Sequence, residues 1–342
     1  MTTLDAVRLG RRSRLRRRVL ITAAIGVAVF VVFAVTLMVG NRFYGPDDVI
    51  RVILGQQVPG ASFSVGELRL PRAVTAVLVG FAFGLAGASF QTMLRNPLAS
   101  PDILGITWGA SAAAVVGIVL LSLSDTAVSF LALGGALLTA LAIYLFAHRR
   151  GFAGARLILI GIGIAALMQS AVSYVLSRAS NWELSTAMQW LAGSLNGATW
   201  DAVRPLAIAS VVLIPLVLLN ARALGALRLG DDSAAALGVR VTATRLLLIV
   251  AAVALLAFAT AASGPIAFVA FMAGPVAARL VGTGGSLLVP AGLVGALLVL
   301  AADLVGQFAF GARYPVGIVT GALGAPFLIY LLARTARSGA SI

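Results

Sequence analysis

The sequence predicts an all-α, polytopic membrane protein of about ten transmembrane helices with both termini cytoplasmic, and three observations predict it. Hydrophobic residues make up 61% of the 342 and charged residues only 11%, with a mean hydropathy of +1.05, so the chain partitions into lipid rather than water. Apolar stretches recur at about the 20 residues that a helix needs to cross a bilayer core of ~30 Å. The polar segments between them carry arginine unequally, as segments that orient helices do.

Residue types exclude several chemistries. There is no cysteine, which removes disulfides, thiolate metal sites and cysteine nucleophiles. All 25 basic residues are arginine, so there is no P-loop lysine and no ATP binding through a Walker A motif. The one histidine, His148, lies beside Arg149 and Arg150 in a loop. No histidine metal centre, no resident cofactor and no catalytic residue are expected. The net charge of +14 is confined mostly to loops, and no nucleic-acid partner is inferred from it.

Residues 1–18 form a basic cytoplasmic tail with seven arginines. Residues 19–40 are apolar and uncharged, too long an apolar region for a secretory signal, and are read as the first permanent span. A polar outer loop, 41–72, ends in Glu67-Leu68-Arg69-Leu70-Pro71-Arg72. The second span, 73–94, runs into Arg95-Asn96-Pro97-Leu98-Ala99-Ser100-Pro101-Asp102, where two prolines end helices. Spans at about 103–123, 126–147 and 157–177 follow, with a short basic cytoplasmic loop at 148–156. The loop 178–204 holds Trp182, Trp190 and Trp200, and part of it is expected to lie along the outer membrane interface. After a sixth span, 205–221, come 246–263, 264–281, 286–310 and 314–333. The eighth is short, begins at Gly264-Pro265 and contains Gly274-Pro275, so it is expected to be broken or tilted. One transmembrane domain thus covers 19–334, with a cytoplasmic tail at 335–342. This orientation places 18 arginines inside and seven outside, as positive charge prefers.

Two features call for partners. Asp303 is the one acidic residue clearly inside a span, where a charge costs ~2.5–3.5 kcal/mol on insertion scales; a hydrogen bond to a neighbouring helix is expected for it. No intramembrane pair of ionisable groups is legible, which argues against a proton-coupled secondary transporter. The cytoplasmic loop 222–245 predicts a short helix, Ser233–Leu237, with Asp231 or Asp232 as N-cap and Gly238 as its stop. A preformed helix there offers a soluble partner something to grip, and an ordinary capped connection has the same pattern.

Five motifs in order carry a resemblance: Glu67–Arg72, Arg95–Gly105, Gly230–Gly238, Gly264–Val269, and Pro315–Gly321 continuing to Gly324–Phe327. Together they resemble the permease subunits of iron-siderophore and vitamin B12 ABC importers, the FecCD-like family, over roughly residues 20–335. Arg156–Ile164, Gly193–Gly197 and Gly230–Asp232 are most similar to the ferric-enterobactin-type permeases. The resemblance implies a type II ABC importer permease fold in a bacterial cytoplasmic (inner) membrane. It implies a second permease subunit, related but non-identical, two ATPase subunits and a binding protein that delivers a ferric siderophore from outside. Vitamin B12 or haem is the alternative chelate.

By the same resemblance Arg69 and Arg72 correspond to docking arginines for the binding protein. Arg313 stands near Gln307, where some members carry a third. Snorkelling at a helix start is the other reading of Arg69 and Arg72. Asn96, Leu98, Gly154 and Ala155 correspond to gate positions, and Asn96-Pro97 also reads as a plain helix-ending turn. Gly230, Asp231, Asp232, Ala235, Leu237 and Gly238 correspond to the element that couples to the ATPase. The sequence departs from the family pattern at Gly274-Pro275-Val276-Ala277-Ala278-Arg279.

Overall fold

The computed structural model describes residues 3–101, 105–148 and 154–339, and all regular structure among them is helical. The helices are α1 (Thr3–Met38), α2 (Pro46–Ile53), a π-helical stretch Ser62–Arg69 that runs into α3 (Leu70–Met93), α4 (Ile106–Val119), α5 (Asp125–His148), α6 (Gly154–Leu176), α7 (Asn181–Leu191), α8 (Trp200–Leu219), α9 (Ala221–Leu227), α10 (Asp231–Ala236), α11 (Val241–Ser263), α12 (Val269–Val281), α13 (Leu288–Phe308) and α14 (Val316–Gly339). Eight are long and apolar enough to cross a membrane: α1, α3 with its π-helical lead-in, α5, α6, α8, α11, α13 and α14. The shorter apolar helices α4 and α12 bring the bundle to the ten expected.

The bundle is organised around α3, which packs on α13, α11 and α12. Of its most apolar stretch 78% is buried, against 17% in α6 and 33% in α14. Small residues make the centre possible. A Cβ at Gly80, Gly84 or Gly295 would collide with backbone of the facing helix, and one at Gly87 with Ala270 of α12. Lipid supplies no hydrophobic drive between helices, so this close backbone approach is what the packing energy rests on.

Several segments differ from the sequence reading. The segment 41–72, read as an outer loop, is largely helical, and the second span begins at Ser62 rather than at 73. Its polar residues read as a loop, but protein rather than lipid satisfies them; Arg69, for example, donates to backbone carbonyls at the end of α1. Pro71 lies at the junction of the π-helical stretch and α3 and brings no N–H to the turn before it. The loop 178–204 contains α7, opened by a capping box in which Ser180 N–H donates to Glu183 at 2.9 Å and Glu183 N–H to the Ser180 hydroxyl at 3.4 Å. These bonds hold the Glu183 carboxyl below its ordinary pKa, the Ser180 backbone N–H contributing most. The cap is present at neutral pH and is lost as pH falls through that lowered value. Of the three tryptophans only Trp182 is exposed; Trp200 is tied by its indole N–H to the Gly66 carbonyl.

The eighth span, read as 264–281, is broken over Gly264–Phe268 at its beginning, and the helix runs on through Gly274-Pro275. Helix α11 ends at Gly264 with φ 68°, and Phe268 takes φ 65° just before α12. Pro275 lies inside α12 and offers no N–H to the Phe271 carbonyl four residues back. The Gln91 side chain of α3 donates to that carbonyl instead, at 3.0 Å. A Cβ at 274 would land on the Gln91 side chain. The departure from the family pattern is therefore a fitted socket between two helices. Gln91→Leu strands the Phe271 carbonyl and is expected to cost about 1–3 kcal/mol, read as a lower thermal midpoint of the detergent-solubilised protein. An unchanged midpoint would mean that backbone relaxation or water satisfies the carbonyl.

Candidate functional site

Helix α3 joins two specialised ends. Its 24 residues measure about 36 Å, with Arg72 in the first turn and Arg95 just beyond the last. At the Arg72 end the guanidinium grips Asp303 of α13 with two hydrogen bonds, Nε to Oδ2 at 2.8 Å and Nη2 to Oδ1 at 2.7 Å. Its third nitrogen donates to Asn196 Oδ1 at 2.7 Å, and Gln307 donates to Asp303 at 2.8 Å. The side chains are 15% and 2% exposed. Asp303 thus has the partner its burial requires, and the partner is charged. This corrects the reading that no ionisable pair lies in the spans, since Arg72 belongs to a helix rather than to a loop. Gln307 thus adds a third hydrogen bond to the carboxylate.

Arg69 is also committed internally. It donates to the carbonyls of Leu37 and Met38 at 2.9 Å and of Arg42 at 2.6 Å, closing the end of α1, and packs over Tyr44 with 5.1 Å to the ring centroid. Arg313 is exposed and donates to Asn41 Oδ1 at 3.0 Å. Arg42, exposed and not singled out from the sequence, completes the set. Arg42, Arg69, Arg72 and Arg313 line one cavity of about 450 Å³ together with Asn41, Asn196 and Gln307. The structure therefore gathers the three arginines named from the sequence and adds a fourth. Arg42 was legible only as one loop charge among several.

A second cavity, about 580 Å³, opens beside the Gly264–Phe268 break and is lined by Leu98, Trp108, Pro265, Phe268, Phe271 and Ile318 among others. Leu98 is half-buried against Phe271, Met272 and Leu331. Its N–H donates to Asn96 Oδ1 at 2.9 Å, so Asn96-Pro97-Leu98 is a locked turn. Gly154 and Ala155 open α6; the Ala155 side chain, and the loop 149–153 before them, lie outside the described residues.

At the opposite end from Arg72, α9 and α10 form a small unit. Helix α9, unforeseen in the loop 222–245, buries Leu224 and Leu227. Helix α10 starts at Asp231, two residues before the predicted start, and its N-cap is Gly230 at φ 111° with no side-chain cap. Asp231 is not a cap because its carboxylate is taken by Arg95 at 2.9 Å and Arg245 at 2.9 and 3.1 Å. Gly238 takes φ 83°, the left-handed stop expected of it. Ala234 is the buried face of α10; Asp232, Ala235, Ala236, Leu237 and Gly238 are exposed. Leu237 does not anchor the unit inward: it is 66% exposed, and so is Leu229. Leu229 was missed because a lone loop leucine carries no pattern.

The sequence pattern of the FecCD transport family matches residues 22–334. The ferric enterobactin transport system permease protein FepG of Escherichia coli is 41% identical over 323 residues, 94% of this chain and 98% of that protein. The achromobactin transport system permease protein CbrC of Dickeya dadantii is 40% identical over 97% of each chain. The vitamin B12 import system permease protein BtuC of Vibrio cholerae is 35% identical over 79% of this chain and 82% of its own. Among solved structures, one described as an inward-facing conformation of a metal-chelate type ABC transporter superposes with a TM-score of 0.82 at 26% identity, covering 92% of this chain and 99% of that one. A bundle of ten apolar helices with a basic pocket at one end and an exposed helical knob at the other thus belongs to the FecCD transport family.

Proposed function

We propose that this chain is the permease subunit of an ATP-driven importer that moves a ferric siderophore across a bacterial cytoplasmic membrane. The observation that carries the reading is the opposed equipment of the two ends. Four arginines lining one cavity suit the carboxylates of a siderophore-binding protein, and the exposed α9–α10 unit suits the cleft of an ATPase. In this reading both termini and α10 are cytoplasmic, and the Arg72 end faces outward. Two ATPase subunits carry the hydrolysis and a second, related permease completes the path. Helix α6 supports such a pairing, since it exposes Gln169, Ser170 and Ser173, polar groups better placed against water or a second permease than against lipid. The siderophore is favoured over vitamin B12 because FepG and CbrC match at higher identity and over more of the chain.

Copurification with identification of the bound subunits, followed by ATP-driven uptake of a ferric siderophore into vesicles, tests the reading. Absence of both an ATPase and ATP-dependent uptake would overturn it. Docking has its own test. Arg42 and Arg313 are exposed, whereas Arg69 and Arg72 act through the field they add to the pocket, so Arg42→Glu with Arg313→Glu is the variant that leaves the bundle intact. We expect slower capture of the binding protein and a flatter salt dependence, as rim charges set association rate. Unchanged association kinetics at all salt concentrations would remove the docking role of the pocket.

A further inference from the structure

Arg95 has φ 52°, immediately after the last turn of α3. The left-handed region brings Cβ against a carbonyl oxygen, and chains place glycine or asparagine there. Arginine has neither advantage, so its side chain is where the reason for its presence lies. Its guanidinium reaches Asp231, the first residue of α10, at 2.9 Å. Asp231 also accepts from Arg245 of α11. One carboxylate therefore joins the α3–α4 turn, α10 and the start of α11. The turn itself is stiff, because Asn96 accepts from Leu98 N–H and Pro97 stands between them. Leu98, three residues from Arg95, lines the apolar cavity beside Phe268 and Phe271.

We infer that the Arg95–Asp231 pair is a mechanical link that carries displacement of α10 to the Asn96–Leu98 turn, with Arg95 and Asp231 acting as positioning residues. This rests on the reading of α10 as the ATPase contact. The pair is open to water in the isolated chain, at 47% and 46% exposure, where such pairs are weak. A partner seated on α10 excludes that water and strengthens the attraction, so the link tightens when the ATPase is bound. Displacement of α10 then moves Arg95, and the locked turn takes Leu98 with it across the face of Phe271 and Leu331.

The chain has no cysteine, so a maleimide on Leu98→Cys reports this motion without any substrate. The experiment uses the complex with its ATPase in proteoliposomes, with and without a non-hydrolysable ATP analogue. With Arg95 present, the analogue should change the labelling rate by about 5-fold or more, the scale of ordinary allosteric coupling. In Arg95→Gly the ratio should fall to near unity, although glycine relieves the backbone and the thermal midpoint should hold or rise. Asp231→Asn should behave alike, and Arg95→Lys should restore part of the response. Equal responses with Arg95 and with Gly at 95, or no response with Arg95 present, would overturn the link. Failure of any ATPase to copurify would instead overturn the underlying assignment of α10, and the link with it.

Discussion

Asp303→Leu should lower the stability of the bundle by about 3–5 kcal/mol, because it leaves the Arg72 guanidinium without its charge partner in a site that is only 15% exposed. Removing both charges should do far less harm. Buried ion pairs replaced by apolar groups of similar volume are often neutral or better, so Arg72→Met with Asp303→Leu should recover most of the loss. Thermal unfolding in detergent and the yield of inserted protein measure both effects. The pair of variants also separates two roles for Arg72 that the motif alone cannot. If Arg72 mainly receives the binding protein, the double variant will be stable but slow to capture it. If Arg72 mainly closes α3 onto α13, the double variant will be stable and capture normally. A double variant as unstable as Asp303→Leu alone would show that Asn196 and Gln307, not the charge pair, hold this end together.

The parts of the molecule legible in the sequence are those that lipid dictates. A helix that faces hydrocarbon must be long, apolar and internally hydrogen-bonded, and eight such helices stand near where hydropathy places them, apart from the early start of the second at Ser62. The α10 unit was legible for a different reason: Gly230 and Gly238 bracket it, and a left-handed stop at 238 has a residue signature. What stayed hidden depends on contacts between distant segments. Arg72 and Asp303 are 231 positions apart, and nothing local to either announces the other, although a lone carboxylate in a span does announce that a partner exists. Gln91 and Pro275 are linked in the same way, through one carbonyl that only the packed α3–α12 pair brings within reach. The helices in 41–72 were missed because polar residues usually mean loop, a rule that fails where protein rather than lipid surrounds them. Helix α7 was missed although its signal, Ser180 followed by Glu183 three residues later, is local and was there to be read.

Helix α10 is expected to be the contact for the ATPase. Its outward face is small and firm: Ala235 and Ala236 are exposed, Leu229 and Leu237 stand out at 66% exposure each, and Ala234 alone of the helix is buried. An unpartnered pair of leucines beside two alanines is a surface that another protein can pack against closely, and close packing is intolerant of added bulk or charge. Ala235→Glu should therefore remove 2 kcal/mol or more of contact energy, about 30-fold in ATPase affinity, with little effect on the isolated permease. Gly238→Val acts through the backbone instead. At φ 83° a β-branched residue is a genuine outlier, so the turn after α10 must rearrange and carry Leu237 out of place. Both variants should be made and inserted normally yet lose ATP-driven uptake, either by shedding the ATPase or by hydrolysing ATP without transport. Ala235→Ser, nearly the same size and uncharged, should retain uptake and serves as the control for mere alteration of the site. Normal uptake by Ala235→Glu and Gly238→Val at normal expression would leave α10 as a connection between two spans and nothing more.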